Sequence, residues 1–107
     1  MNIELSEQDK EVVYGYFSVN YDVFRIKKKD VKSYIYSKIL LQFSNEEDLL
    51  AVVDDAYDMK DAAYCWDWDF EKLSMTLYTE SERCFRDCCE QLNNCEIYQF
   101  KYDSFKL

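Results

Sequence analysis

The side chains in this sequence that could do chemistry are five cysteines, a pair of aspartates and a run of lysines. There is no histidine among the 107 residues, and the single glycine is Gly15. The lack of histidine excludes Ser-His and Cys-His nucleophiles and histidine-ligated zinc. One glycine cannot build a phosphate-cradling loop or a dinucleotide fingerprint. We therefore predict no catalytic residues and no enzyme activity.

The cysteines are Cys65 and a cluster made of Cys84, Cys88, Cys89 and Cys95. A four-thiolate zinc site could use residues 84 and 88, which are one helical turn apart, but structural zinc sites usually have two pairs of closely spaced cysteines. Free cysteine also behaves as a small buried hydrophobe. We predict no metal and no cofactor, with Cys84 and Cys88 in the core and Cys65 and Cys89 partly exposed. A cysteine-based metal or redox module stays open as an alternative.

Asp67 and Asp69 lie two residues apart in a segment that alternates like a strand. Their carboxylates therefore share one face, about 6–7 Å apart. Glycosidases and metal sites use carboxylate pairs of this kind. No motif marks a further ligand or acid beside them, so we predict a solvated strand face that extends an acidic surface.

The lysine run is Lys27-Lys28-Lys29-Asp30-Val31-Lys32, and aromatic residues lie on both sides of it. Basic segments with nearby aromatic side chains contact RNA in single-strand binders. The formal net charge of −9 argues against nucleic-acid binding by the whole chain. We predict a solvated hairpin tip and no direct contact with nucleic acid.

The negative charge is unevenly distributed along the chain. Residues 1–43 contain six acidic and seven basic residues, whereas residues 44–90 contain fourteen acidic and four basic residues. Such a field favours basic partners, although it also serves solubility. No segment approaches the length of a membrane span, and reduced thiols without a signal-peptide pattern predict a cytoplasmic protein.

Hydrophobic periodicity indicates the elements that must position these residues. It predicts helices over 7–18, 44–61 and 82–92, and strands over 21–28, 33–43, 62–70, 73–79 and 95–102. From residue 33 onward the order is β-α-β-β-α-β, the connectivity of a split βαβ or ferredoxin-like unit. We predict a single α+β domain over residues 1–107, with a mostly antiparallel sheet, helices packed on one face, and an added N-terminal helix and strand.

The helix predicted for Ser44–Asp61 has one apolar and one anionic face. Ser44 and Glu47 match a capping box, and Leu49, Leu50, Val53 and Tyr57 fall on the apolar face. Six carboxylates over about 14 residues, or ~21 Å of helix, approach the axial charge spacing of a single DNA strand. The residues predicted to bind a partner are the helix acids and the strand pair: Glu47, Asp48, Asp54, Asp55, Asp58, Asp61, Asp67 and Asp69.

In size and composition, the chain resembles phage-encoded anti-CRISPR proteins and other DNA-mimic inhibitors. The resemblance covers the whole chain and rests on the acidic clusters at residues 46–48, 54–55, 58, 61, 67 and 69, together with the richness in tyrosine. It implies a small phage-encoded inhibitor, acting in the host cytoplasm, whose carboxylates occupy a basic nucleic-acid channel of a nuclease or CRISPR effector. A bacterial immunity protein that neutralises a nuclease toxin is the alternative, and a homodimer is left open.

Overall fold

A computed structural model of the chain describes residues 5–20, 28–54, 63 and 65–106, with side chains at 5–16, 30–54, 63 and 65–106. Within these ranges the protein is α+β, as predicted. The elements in chain order are α1 (Glu7–Asn20), a 3-10 helix (Lys28–Tyr34), β1 (Ser37–Phe43), α2 (Glu46–Asp54), β2 (Cys65–Asp69), β3 (Ser74–Thr79), α3 (Glu82–Asn94) and β4 (Phe100–Lys106).

The four described strands form one antiparallel sheet in the order β2-β3-β1-β4. The first strand and the third therefore lie in the middle, and the second and the fourth form the two edges. Helices α2 and α3 each fall between two strands that are not neighbours in the sheet. This arrangement is compatible with the split βαβ unit that the element order predicts.

The alternating side chains of β1 divide the sheet into two faces. Ile39 and Leu41 are fully buried, whereas Leu40 is half-buried and Gln42 is exposed. The register continues this division into β3, where Leu77 and Met75 stand opposite Ile39 and Leu41. Because strand side chains alternate between faces, each strand contributes to two different environments.

The first face carries the main core, and α2 and α3 pack against it. Leu49 and Val52 of α2 and Cys88 and Leu92 of α3 join the buried residues of β1 and β3 in one cluster. Ser81 begins α3, because its side-chain oxygen accepts a hydrogen bond from the Cys84 backbone N–H at 3.2 Å. The first face therefore holds both helices of the split βαβ unit.

The second face is covered at one end by α1 and the 3-10 helix. Val13 of α1 and Val31 of the 3-10 helix pack with Cys65 of β2 and Tyr78 of β3. The prediction that helices pack on one face is therefore wrong for α1, because this helix has its own apolar residues to bury. The same packing makes Cys65 a buried residue and not a partly exposed one.

Asp9 joins α1 to the second face through a buried polar cluster. Its carboxylate accepts hydrogen bonds from the Tyr78 hydroxyl at 2.6 Å, the Lys38 ammonium group at 2.9 Å and the Ser6 backbone N–H at 3.0 Å. The Ser6 side chain in turn accepts a hydrogen bond from the Asp9 backbone N–H at 3.1 Å, which completes a cap at the start of α1. Burial alone would raise the pKa of Asp9, but these hydrogen bonds and the Lys38 charge outweigh it and lower the pKa.

Several predicted boundaries differ from the observed ones. The last strand begins at Phe100 and not at Cys95, because the backbone before it serves α3 and α2: the Cys95 N–H donates to the Leu92 carbonyl, and the Gln99 N–H donates to Asp48. Lys28–Tyr34 is a 3-10 helix and not a hairpin tip. The added strand predicted for 21–28 lies, apart from Lys28, outside the described residues.

The buried side of α2 is rotated from the predicted one. Leu49 and Val52 are fully buried, Val53 is half-buried, and Leu50 is 38% exposed. The prediction of Leu50 as a core residue is therefore wrong. Leu49 and Val52 pack in the main core, while Leu50 faces away from it.

Replacing these two leucines by alanine tests this orientation. We expect Leu49→Ala to lower the free energy of unfolding by about 2–4 kcal/mol, because it leaves a cavity in the core. Leu50→Ala is the matched control and should cost less than ~1 kcal/mol. Urea unfolding followed by circular dichroism measures both, and equal losses would contradict the described orientation of α2.

The Asp9 cluster predicts a pH dependence of stability. Because the folded-state pKa of Asp9 lies below its ordinary value of 3.8, its ionised form stabilises the fold above that value, and the contribution is lost as the pH falls through the folded-state pKa. Tyr78→Phe should lower the free energy of unfolding by about 1–3 kcal/mol at neutral pH, because it removes the hydroxyl that donates a hydrogen bond to Asp9. The difference in unfolding free energy between wild type and Asp9→Asn should shrink below pH 3.8. A constant difference would show that Asp9 does not titrate as described.

Candidate functional site

The exposed acids of α2 lie on the outer side of the helical layer. Glu46, Glu47 and Asp54 are exposed to solvent, and Asn45 begins the helix by accepting a hydrogen bond from the Asp48 N–H at 2.8 Å. The cap is therefore Asn45 and not Ser44. Both residue types suit this position, and the register of α2 on the sheet determines which one is used.

Asp48 differs from its neighbours because its carboxylate has backbone and side-chain partners. It accepts a hydrogen bond from the Gln99 backbone N–H at 3.0 Å and one from the Asn45 side-chain amide at 3.2 Å. Asp48 thereby connects the start of α2 to the segment that leads into β4. The Asp48 carboxylate is therefore already engaged in hydrogen bonds within the fold.

Three of the predicted partner-binding residues, Asp55, Asp58 and Asp61, lie outside the described residues. The outer side of α3 supplies further carboxylates. Glu82, Asp87 and Glu90 are exposed, and Glu82 pairs with Arg86 at 2.8 Å.

The described parts of α2 and α3 give the first side of the sheet a strong negative charge. The two helices contain seven acidic and two basic residues, a net charge of −5. Because both helices pack on the same face, their outward carboxylates lie on the same side of the molecule. We call this surface, formed by the exposed residues of α2 and α3, the anionic side.

Asp67 and Asp69 lie on the opposite side of the sheet. In the register they stand across from Thr76 and Ser74, and not from the core residues Leu77 and Met75. Asp69 accepts hydrogen bonds from the backbone N–H groups of Glu71 at 2.9 Å and Lys72 at 3.2 Å, so it holds the turn that follows β2. The sheet thus separates the strand pair from the acids of α2.

A polar groove of about 300 Å³ runs across this second side. Asp67 and Asp69 line it together with two lysines, Lys38 and Lys72. Gln8 donates to Asp67 at 3.5 Å across the groove. With Asp9, the groove is lined by three carboxylates and two ammonium groups, so its excess of negative charge is smaller than that of α2 and α3.

Two tryptophans of β2 are exposed near the edge of the sheet. Trp66 is 37% exposed and Trp68 is 41% exposed, and Trp68 contacts Phe70 edge-on with ring centroids 6.5 Å apart. In the register, Trp66 and Trp68 stand opposite Leu77 and Met75, so they project to the same side of the sheet as α2 and α3. These aromatic side chains are thus exposed at the β2 edge of the sheet, where Trp66 also lines a cavity with Val12 and Tyr16 of α1.

The five cysteines are reduced thiols in or beside the core. Cys88 is buried, and Cys84, Cys89 and Cys95 are half-buried. Burial raises the pKa of Cys88 to about 12, with smaller effects from the Cys89 and Cys84 thiols. Burial likewise raises the pKa of Cys65, with a smaller effect from Asp67. The described residues contain no group of three or more His, Cys, Asp or Glu side chains that could hold a metal ion.

Comparisons with protein-family models, with curated proteins and with solved structures find no match to this chain. Among the residues that the structure describes, no helix is long and apolar enough to cross a membrane.

Replacing Asp48 should destabilise the fold, whereas replacing Asp54 should leave its stability nearly unchanged. Asp48→Ala should lower the free energy of unfolding by about 1–3 kcal/mol, because the Gln99 N–H loses its charged acceptor. Asp54→Ala, its matched control on the same helix, should change it by less than ~0.5 kcal/mol, because Asp54 is exposed. Thermal or urea unfolding distinguishes them, and an unaffected Asp48 variant would show that this bond does not hold the fold.

Proposed function

We propose that this protein is a small, non-catalytic acidic inhibitor whose anionic side binds the basic nucleic-acid-binding surface of a nuclease or CRISPR effector. The bound inhibitor blocks access of the nucleic acid. The observation that supports this most directly is the net charge of −5 on two helices that pack on the same face of the sheet. The second side, where lysines line the groove beside the aspartates, has no comparable excess.

The mechanism follows from the way in which basic channels bind nucleic acid. Contacts of lysine and arginine with the phosphates supply most of the sequence-independent affinity, and the same cationic side chains attract any surface with a similar density of negative charge. Carboxylates at helical spacing can approach that density over one or two turns. Association is then accelerated by opposite charges and weakened by salt, as it is for the nucleic acid itself.

The positions of the acids in the structure change the set of residues that we propose to contact the partner. Glu47 and Asp54 are exposed on the anionic side and remain proposed contacts. Asp48 supports the helix, and Asp67 and Asp69 belong to the groove on the opposite side. The acids at 55, 58 and 61 stay predicted contacts, and the exposed carboxylates of α3 join the set.

The exposed tryptophans favour a second candidate of the same physical kind. An immunity protein that neutralises a nuclease toxin also needs a central aromatic contact, because such contacts carry most of the binding energy in tight protein complexes. Trp66 and Trp68 could supply it beside the acids. Such a protein binds one nuclease domain, whereas a nucleic-acid mimic competes directly with guide or target strands. Both proposed inhibitors act in the cytoplasm, and the nucleic-acid mimic does so as a phage product in the host cell.

Two matched charge reversals test whether position or total charge matters. Glu47→Lys with Asp54→Lys changes the anionic side, and Asp67→Lys with Glu71→Lys changes the β2 strand and its turn by the same net charge. We expect the first pair to weaken inhibition of nucleic-acid cleavage by more than ~10-fold and the second pair by less than ~3-fold. The assay titrates each variant against a guide-loaded CRISPR effector and against a toxin-type nuclease domain.

Circular dichroism on both double variants establishes that they are folded. Inhibition by wild type should decline steeply with added salt and with added competing nucleic acid. Equal inhibition by the two double variants would contradict the anionic side as the binding surface. Inhibition of the toxin nuclease alone, without competition by nucleic acid, would favour the immunity protein.

A further inference from the structure

The strand β4 forms one edge of the sheet in the part of the chain that the structure describes. It pairs along its whole length with β1, from Phe43 opposite Phe100 to Ser37 opposite Lys106. No described residue pairs with its other side. An edge strand of this length presents backbone N–H and C=O groups that can extend a sheet by one more strand.

We propose that two copies of this chain associate through antiparallel pairing of their β4 strands, with Tyr102 opposite Tyr102 of the second copy. The two sheets then form one continuous sheet across the contact. The pairing extends from Phe100 opposite Ser104 to Ser104 opposite Phe100.

The register follows from the charges on β4. A two-fold axis perpendicular to the sheet places one residue opposite its own copy, and neighbouring residues then pair across the axis. If Lys101 lay on the axis, two ammonium groups would face each other, and if Asp103 lay there, two carboxylates would do so. With Tyr102 on the axis, Lys101 faces Asp103 twice, and opposite charges across a strand pair are stabilising.

These two charges are available for such a contact. Lys101 and Asp103 are both exposed, and neither has an ion-pair partner within the described part of the chain. Their side chains project to the same side of the sheet, because they stand opposite Gln42 and Leu40 of β1. Tyr102 projects to the other side, where its hydroxyl donates to the Asn93 side chain and is held in place.

The net charge of the chain also favours self-association through the β4 edge over self-association through the β2 edge. Two copies of a chain with a net charge of −9 repel each other through most of their surface. The edge strand β2 carries two carboxylates and no base, so its self-pairing adds to that repulsion. In contrast, β4 carries Lys101, Asp103 and Lys106, a net charge of +1.

The association has a consequence for the anionic side. Rotation about an axis perpendicular to the sheet leaves α2 and α3 of both copies on the same side of the continuous sheet. The pair therefore presents two anionic sides facing one direction. The pairing of the β4 strands does not depend on what the anionic side binds.

Charge reversal on β4 tests the pairing by sedimentation velocity over a range of protein concentrations. The wild type should show a dimer whose population rises with concentration. Lys101→Asp and Asp103→Lys each replace two opposite-charge pairs by two like-charge pairs, so each should raise the dimer Kd by about 10-fold or more. The combination of both changes restores the opposite charges and should bring Kd back to within about threefold of wild type.

Control variants Lys72→Asp and Glu71→Lys carry the same charge changes on the turn after β2 and should leave Kd nearly unchanged. A wild type that stays monomeric up to about 1 mM would overturn the inference. So would a dimer that the single reversals leave intact, or one that the combined variant fails to restore. Hydrogen exchange on the unmodified protein gives an independent result: amides of β4, and not those of β2, should exchange more slowly as concentration rises, and unchanged β4 exchange would contradict the pairing.

Discussion

The strict alternation of side chains along β1 is the constraint on which the rest of the structure depends. Ile39 and Leu41 are fully buried beneath α2 and α3, while Lys38 reaches the Asp9 carboxylate of α1 on the other side. A shift of one residue in the register of this strand would exchange the two sets. The lysine would then enter the apolar core, and Asp9 would lose a charged partner. The pairing of β1 with β3 and β4 therefore determines both layers together.

The same alternation separates the charges of the molecule. The acids of α2 and α3 lie on one side, where few basic residues oppose them, whereas Asp67 and Asp69 share the other side with Lys38 and Lys72. A partner that approaches the helical layer meets a predominantly negative surface. A partner that approaches the groove meets charges of both signs. Only the first environment resembles a nucleic-acid backbone, and this difference is why the helical layer carries the proposed function.

Much of the fold could be predicted from the sequence because the periodic signals are local. The helical periodicity of α1 and α3 and the alternation of β2 each involve residues that are close together in the sequence. The split βαβ order follows from those signals. The added strand predicted for 21–28 and the acids at 55, 58 and 61 remain predictions.

The parts that could not be predicted depend on distant contacts. Asp9 meets Tyr78 across 69 positions of sequence, and Asp48 meets Gln99 across 51, so neither partner is marked by spacing. Leu50 was predicted to be buried because apolar periodicity gives the width of a helix face and not the side that meets the sheet. Leu73 has a φ of 51°, in a left-handed conformation that favours glycine, and no residue pattern indicates that a leucine would occupy it.

Carboxylate footprinting tests the central claim most directly. Aspartate and glutamate side chains are coupled to a neutral amine with a carbodiimide, in the free protein and in a mixture with the nuclease or CRISPR effector under test, and mass spectrometry locates the labels. The account predicts protection of Glu46, Glu47, Asp54 and Glu90, with Asp67 labelled equally in both states. Protection of Asp67 and Asp69 together with full labelling of the α2 and α3 acids would contradict it.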